Sequence, residues 1–260
     1  MDVLLLHLTK PERFSLLLLV ALGVLIGAVA QRIAGMGFAL TLAPILVLAL
    51  GPFDGPMVVN IAGAFSSALV YMQSRKLVDW KQFWMLAIPA VIVIIPSAYF
   101  SVAFSGPLLQ IGIGVLLIVA LGTSLLAVKA DKVLPRGRLG ILFGASSGFM
   151  SATAGIGGPA MGIYAILTGW DQKVFAATLQ PYFFTLGIAS FVSKYAASGQ
   201  TPDISIWMWV GIAVLTIVGS WLGVSLQKIV SPEVARLVVI VICFVGSIAA
   251  IVDGLLELQL

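Results

Sequence analysis

The sequence predicts an all-α polytopic membrane protein built as two inverted repeats of five helical segments. The first two segments of each repeat form a broken or re-entrant hairpin. Three observations carry this prediction. Of 260 residues, 61% are hydrophobic and only 9% charged, whereas soluble domains carry about 25% charged residues. The apolar segments lack the alternation of a membrane β-barrel. A motif also recurs: LGVLIGA at 22–28 matches LGILFGA at 139–145, and after a three-residue offset AGMG at 34–37 matches AGIG at 154–157.

The apolar segments of the first repeat (14–128) run 14–31, 37–50, 57–73, 82–104 and 107–128. A charged linker, 129–138, leads to the second repeat (139–256), with segments 139–152, 159–169, 174–197, 206–226 and 235–256. Together they form one membrane domain, 1–260. The first pair of each repeat is too short for two comfortable spans of about 20 residues and too long for one, which suits a hairpin that enters and turns back. Gly35 and Gly37, and Gly155, Gly157 and Gly158 before Pro159, then lie at the tips. Glycine and proline free backbone groups that survive in a bilayer only where protein buries them or where they line a wet cavity. Lys10 and Arg13 before an apolar run resemble a signal peptide, but the recurrence of that run at Leu139 argues for a mature helix.

An odd number of segments per repeat makes the second repeat enter from the opposite face. The positive charges divide accordingly. One face receives Arg75, Lys76 and Lys81, then Lys129, Lys132, Arg136 and Arg138, then Lys173, Lys228 and Arg236; the other receives Lys10, Arg13 and Lys194. The positive-inside rule makes the first face cytoplasmic and puts both termini outside. Merging each short pair into one span would put both termini inside, and is the rival topology. Trp80, Trp84, Trp170, Trp207 and Trp209 lie near segment ends, where indoles anchor at membrane edges.

Every Asp and Glu falls in a tail, in a loop or at a segment end, which argues against a cation pump relying on mid-membrane carboxylates. A small anion is the better cargo. Arg32 ends the first apolar run just before the glycine tip. It either meets an anion or snorkels from a short turn. Its counterpart in the second copy is Phe149 or Met150. The helices that begin after Gly37 and after Gly157 and Gly158 aim free N–H groups at the gap and form the other half of an anion site, although such glycines also serve plain helix packing.

Asn60, Ser66, Ser67 and Tyr71 of the first repeat and Thr178, Gln180, Tyr182 and Thr185 of the second are polar groups in the third segments, with Asn60 and Gln180 at matching places. They bond either a ligand or freed hairpin carbonyls. Ser146 and Ser147, in a GASSG run, resemble an intramembrane protease motif, but the one histidine is His7 in the amino-terminal tail. No catalytic, metal or cofactor site is expected. Cys243 sits in an apolar run and reads as an inert small residue.

The two glycine tips, the short helices after them and the polar third segments resemble the sulfite exporter TauE/SafE family over nearly the whole chain. Phe38 departs from the pattern, standing where a second glycine would complete the first tip. The resemblance implies a multi-pass protein of the cell inner membrane that exports a small sulfur-containing anion, such as sulfite or an organosulfonate of the sulfoacetate type. The expected mechanism is alternating access. The alternatives are a passive anion channel, a permease for another small carboxylate or a cation, and a non-transporting scaffold or enzyme. The candidate substrate-binding residues are Arg32, Gly35, Gly37, Asn60, Ser66, Gly155, Gly157, Gly158, Gln180 and Tyr182. The expected partners are the anion, the lipid bilayer and, as an option, a second copy in a homodimer; nucleic acid is not expected.

Overall fold

The computed structural model describes residues 11–104, 106–126 and 134–259, and every regular element among them is helical. Residues 129–133 of the linker, with His7 and Lys10, lie outside the described residues. The first half holds α1 (Pro11–Ala34), α2 (Phe38–Ser74), α3 (Trp80–Ala103) and α4 (Pro107–Leu126). The second holds α5 (Arg136–Ala154), α6 (Gly158–Leu167), α7 (Gln172–Ser198), α8 (Ile206–Leu226) and α9 (Pro232–Glu257). Helix α2 breaks at Gly51 (φ 85, ψ 170) into two parts, here α2a (38–50) and α2b (52–74). Counted this way, each half runs through five segments in the same order. Six of the helices are long and apolar enough to cross a membrane.

Local chemistry sets the boundaries. Asp79 accepts the Gln82 amide ahead of α3, Asp171 accepts the Lys173 and Val174 amides ahead of α7, and Ser205 and Ser231 cap α8 and α9 in the same way. Each satisfies a donor left over in a first helical turn. Pro52 is the first residue of α2b, where a missing N–H costs least. That helix therefore starts five residues before the expected 57, and it takes Asp54 out of the loop and into its first turn.

The halves are interleaved rather than side by side. Helix α3 packs along α5 and α8 along α1, so the fourth segment of each half lies on the first segment of the other. Glycines permit both approaches. Gly140, Gly144 and Gly148 of α5 lie against Met85, Leu86 and Ala90 of α3, while Gly219 and Gly223 of α8 lie against Ala28 and Arg32 of α1. In both pairs the contacts advance together along the two chains, so the helices run parallel. The third segments run the opposite way: Asn60 of α2b faces Gly187 of α7, and Phe53 faces Lys194. Helices α4 and α9 are antiparallel too, with Gly114 against the Ser247 carbonyl and Gly254 against the Pro107 carbonyl.

Trp170, near a segment end, is not an exposed indole with a wet N–H. It is buried, edge-on to the Tyr164 and Phe175 rings, with the Arg136 guanidinium 5.6 Å from its ring centre. Trp80, Trp84 and Trp207 are exposed.

Candidate functional site

The two hairpins turn by the same device. At the end of α1 the Gly35 amide bonds the Gln31 carbonyl at 3.0 Å with Gly35 at φ 78; at the end of α5 the Gly155 amide bonds the Ser151 carbonyl at 3.0 Å with Gly155 at φ 75. That left-handed closure is glycine's, because a β-carbon there strains the backbone. The matching helix ends, Ala34 and Ala154, pair Arg32 with Ala152, which corrects the expected match to Phe149 or Met150.

The elbows meet. Met36, at the first tip, lies with its sulfur 3.7 Å from the β-carbon position of Gly158 at the second. Between them is a cavity of about 40 Å³, room for a few water-sized groups at about 10–15 Å³ each. Gly37, Asn60, Gly155, Gly157 and Gly158 line it, and so do Gln31, Ser67 and Ser151. The opening turns of α2a and α6 face it as well, so two positive helix ends converge on one hollow.

Each elbow is held by the third segment of the other half. Gln180 of α7 donates to the Gly35 carbonyl at 3.0 Å and accepts from Gln31 at 3.0 Å, and Gln31 also donates to Ser67 at 3.1 Å. Asn60 of α2b donates to the Ser151 carbonyl at 3.2 Å and accepts from the Ser151 hydroxyl at 3.3 Å; Ser151 and Ser190 hydroxyls lie 3.1 Å apart. Ser147 donates to the Gly157 carbonyl at 2.9 Å. Gln180 therefore secures a carbonyl that the first break releases, and Asn60 adds a second donor to the carbonyl that closes the second turn. The second Nδ2 hydrogen of Asn60 and the hydroxyl hydrogen of Ser67 remain to meet whatever enters the cavity.

Three expected site residues stand apart from the cavity wall. Arg32 turns towards Gly223 of α8, and its Nε is buried without a hydrogen-bond partner. A helix rotates about 100° per residue, so the same last turn points Gln31 inward and Arg32 away. Ser66 and Ser67 divide in the same way: Ser67 reaches the cavity and Ser66 is buried elsewhere. Tyr182 is fully buried, its hydroxyl towards Ser147 without completing a hydrogen bond. Gly35 and Gln180 shape the wall from behind it. Gln31 and Ser151 were missed, although both are polar residues at the same distance before each AGxG motif, and Ser67 was read as a polar group of the third segment but left out of the binding set.

Two further hollows continue from the elbow. One of about 20 Å³ lies between Gly37, Leu40, Pro159 and Arg236, and a vestibule of about 260 Å³ is walled by Gln172, Phe175, Glu233 and Arg236. Met36 lines all three spaces and stands between the vestibule and the elbow cavity. Among the described residues no three His, Cys, Asp or Glu side chains are grouped to hold a metal ion. The polar chemistry on offer is that of amides, hydroxyls and helix ends.

A bundle of apolar helices with broken hairpins meeting over a polar cavity, and a vestibule leading to it, has the build of a membrane transporter for small solutes. Its family is narrower than that. The chain belongs to the sulfite exporter TauE/SafE family, whose model matches residues 19–250. It is thus a multi-pass membrane protein of a family that exports sulfite and related sulfur anions. No curated protein and no solved structure matches the chain closely enough to narrow this further.

Proposed function

We propose that the protein is a secondary transporter of the inner membrane that exports a small sulfur-containing oxyanion, sulfite or an organosulfonate. It works by alternating access between two inverted repeats, with both termini outside. The observation that carries this reading is the meeting of the two glycine elbows over one cavity. The antiparallel run of α2b against α7, and of α4 against α9, supports inversion, since each of these pairs joins corresponding segments of the two halves. The anion is held by the open ends of α2a and α6 with Asn60, Ser67 and Gln31 around it, a site that recognises negative charge through N–H and O–H donors without a buried cation. The vestibule at Arg236 lies on the face rich in Lys and Arg, where an anion approaches from the cytoplasm. Export needs no carboxylate relay, because an inside-negative potential itself expels an anion at about 2.3 kcal/mol per charge per 100 mV.

Tracer sulfite counterflow into proteoliposomes tests the reading. Saturable uptake driven by unlabelled sulfite inside, lost in Gly157→Leu, is expected. Gly157 stands with its β-carbon position 2.5 Å from the Ser147 hydroxyl oxygen, and a leucine there would fill the cavity. Flux that never saturates and shows no exchange would make the protein a passive anion channel instead.

A further inference from the structure

Lys194 of α7 is fully buried, and its ammonium has no hydrogen-bond acceptor. The Phe53 ring has its centre 5.1 Å from the nitrogen, and Asp54 acts on the charge without bonding to it. Asp203 stands in turn beside Asp54. A buried ammonium without an acceptor is among the costliest arrangements in a protein, and more so in a membrane. Packing alone does not account for it.

Its position suggests what completes it. Phe183, Gly187, Ser190 and Lys194 follow one another on one face of α7 at helical spacing. Phe183 and Gly187 line the elbow cavity, and Ser190 meets Ser151 at its edge. Lys194 is two turns further on, about 10 Å along the helix from Gly187. The vestibule is at the opposite end of α7, at Gln172 and Phe175. One helix thus passes a wide vestibule, a narrow polar cavity and then a buried cation.

We infer that Lys194 is a second anion-binding station, on the far side of the elbow cavity from the vestibule, where a small oxyanion moving along the seam between α2b and α7 displaces the Phe53 ring from the ammonium. The inference rests on the transport reading above. In the state described the station is closed, with Phe53 in the anion's place and Asp54 supplying charge compensation.

Tracer sulfite counterflow and the melting temperature of the purified protein, measured together on three variants, test it. Lys194→Gln should raise the half-saturating sulfite concentration at least tenfold, and Lys194→Arg should recover most of that loss. Asp54→Asn, which removes the competing negative charge, should lower half-saturation by twofold or more. If Lys194→Gln does not fold, the Asp54→Asn result alone decides: a lowered half-saturation supports the station, and lost or unchanged affinity overturns it. Wild-type flux in Lys194→Gln overturns it too, as does a matching loss in Lys194→Gln and Asp54→Asn with no added effect in the double variant, the mark of a structural pair. If the wild-type protein moves no anion, the transport reading fails as well; if it does and Lys194→Gln is unaffected, only the second station fails.

Discussion

Gly35 shows how much a single hydrogen atom decides at this site. Its φ of 78 is one constraint, and the second is contact: an added β-carbon would lie 2.5 Å from the Ala176 β-carbon and 2.8 Å from its α-carbon, on the helix that also supplies Gln180. Backbone strain and overpacking together should cost Gly35→Ala about 1–3 kcal/mol, read as a lowered melting temperature in detergent, with transport reduced beyond what lost protein explains. Gln31 and Arg32 make a sharper comparison, because the residue the sequence singles out is not the one at the cavity. Gln31→Ala frees Ser67 and Gln180 and should raise half-saturation for sulfite about tenfold, a loss of roughly 1.4 kcal/mol. Arg32→Ala, facing Gly223, should change it less than twofold. The reverse order of effects would restore Arg32 as the ligand. Charge draws the eye in a sequence; helical phase, which decides what points inward, shows only once the helix end is fixed.

Helices here are positioned by what they lack as much as by what they carry. The stripe Gly140, Gly144 and Gly148 brings the α5 backbone onto α3, and a β-carbon at Gly148 would sit against the Ala90 carbonyl. Small residues of this kind let membrane helices touch where lipid gives no hydrophobic drive. Gly148→Leu should therefore part α3 from α5 and destabilise the protein by about 1–3 kcal/mol. Gly112 of α4, with no atom within 4 Å of its β-carbon position, is the control. There an alanine should be neutral or should stabilise by up to about 1 kcal/mol, and thermal melts of the two variants separate the cases. The ten segments and their breaks were legible because apolar runs and Gly-Pro punctuation are local signals. Phe38 was read as a departure from the glycine pattern, and the structure supplies its reason: Gly27 lies against the Phe38 backbone with its β-carbon position 3.1 Å from the Phe38 α-carbon, whereas Ser147, at the matching place, bonds Gly157. The bulk has changed sides within the hairpin. Which elbow meets which amide, and that Lys194 near its helix end is buried, depends on partners 91 or more residues away, and no local pattern reports it.

At the scale of the whole molecule, the exchange of partners between halves links the two elbows. Gln180 of the second half grips the first elbow and Asn60 of the first grips the second, so neither hairpin can shift without pulling on the opposite third segment. If the halves are inverted, a motion that opens one elbow to one face closes the other, and the chain's ends share a face; a reporter fused after Leu260 should then be active only outside the cytoplasm. The energetics make a further demand. With no carboxylate lining the elbow cavity among the described residues, the simplest cycle carries one net negative charge outward and couples to voltage alone. Clamping the membrane potential of proteoliposomes with a potassium gradient and valinomycin should then shift the equilibrium ratio of a singly charged sulfur anion about tenfold for every ~60 mV, the voltage that matches 1.4 kcal/mol per charge. A ratio indifferent to voltage but following the proton or sodium gradient would mean that a cation travels with the anion one for one. The half-buried Asp54, beside Lys194, would then be the carboxylate to examine first.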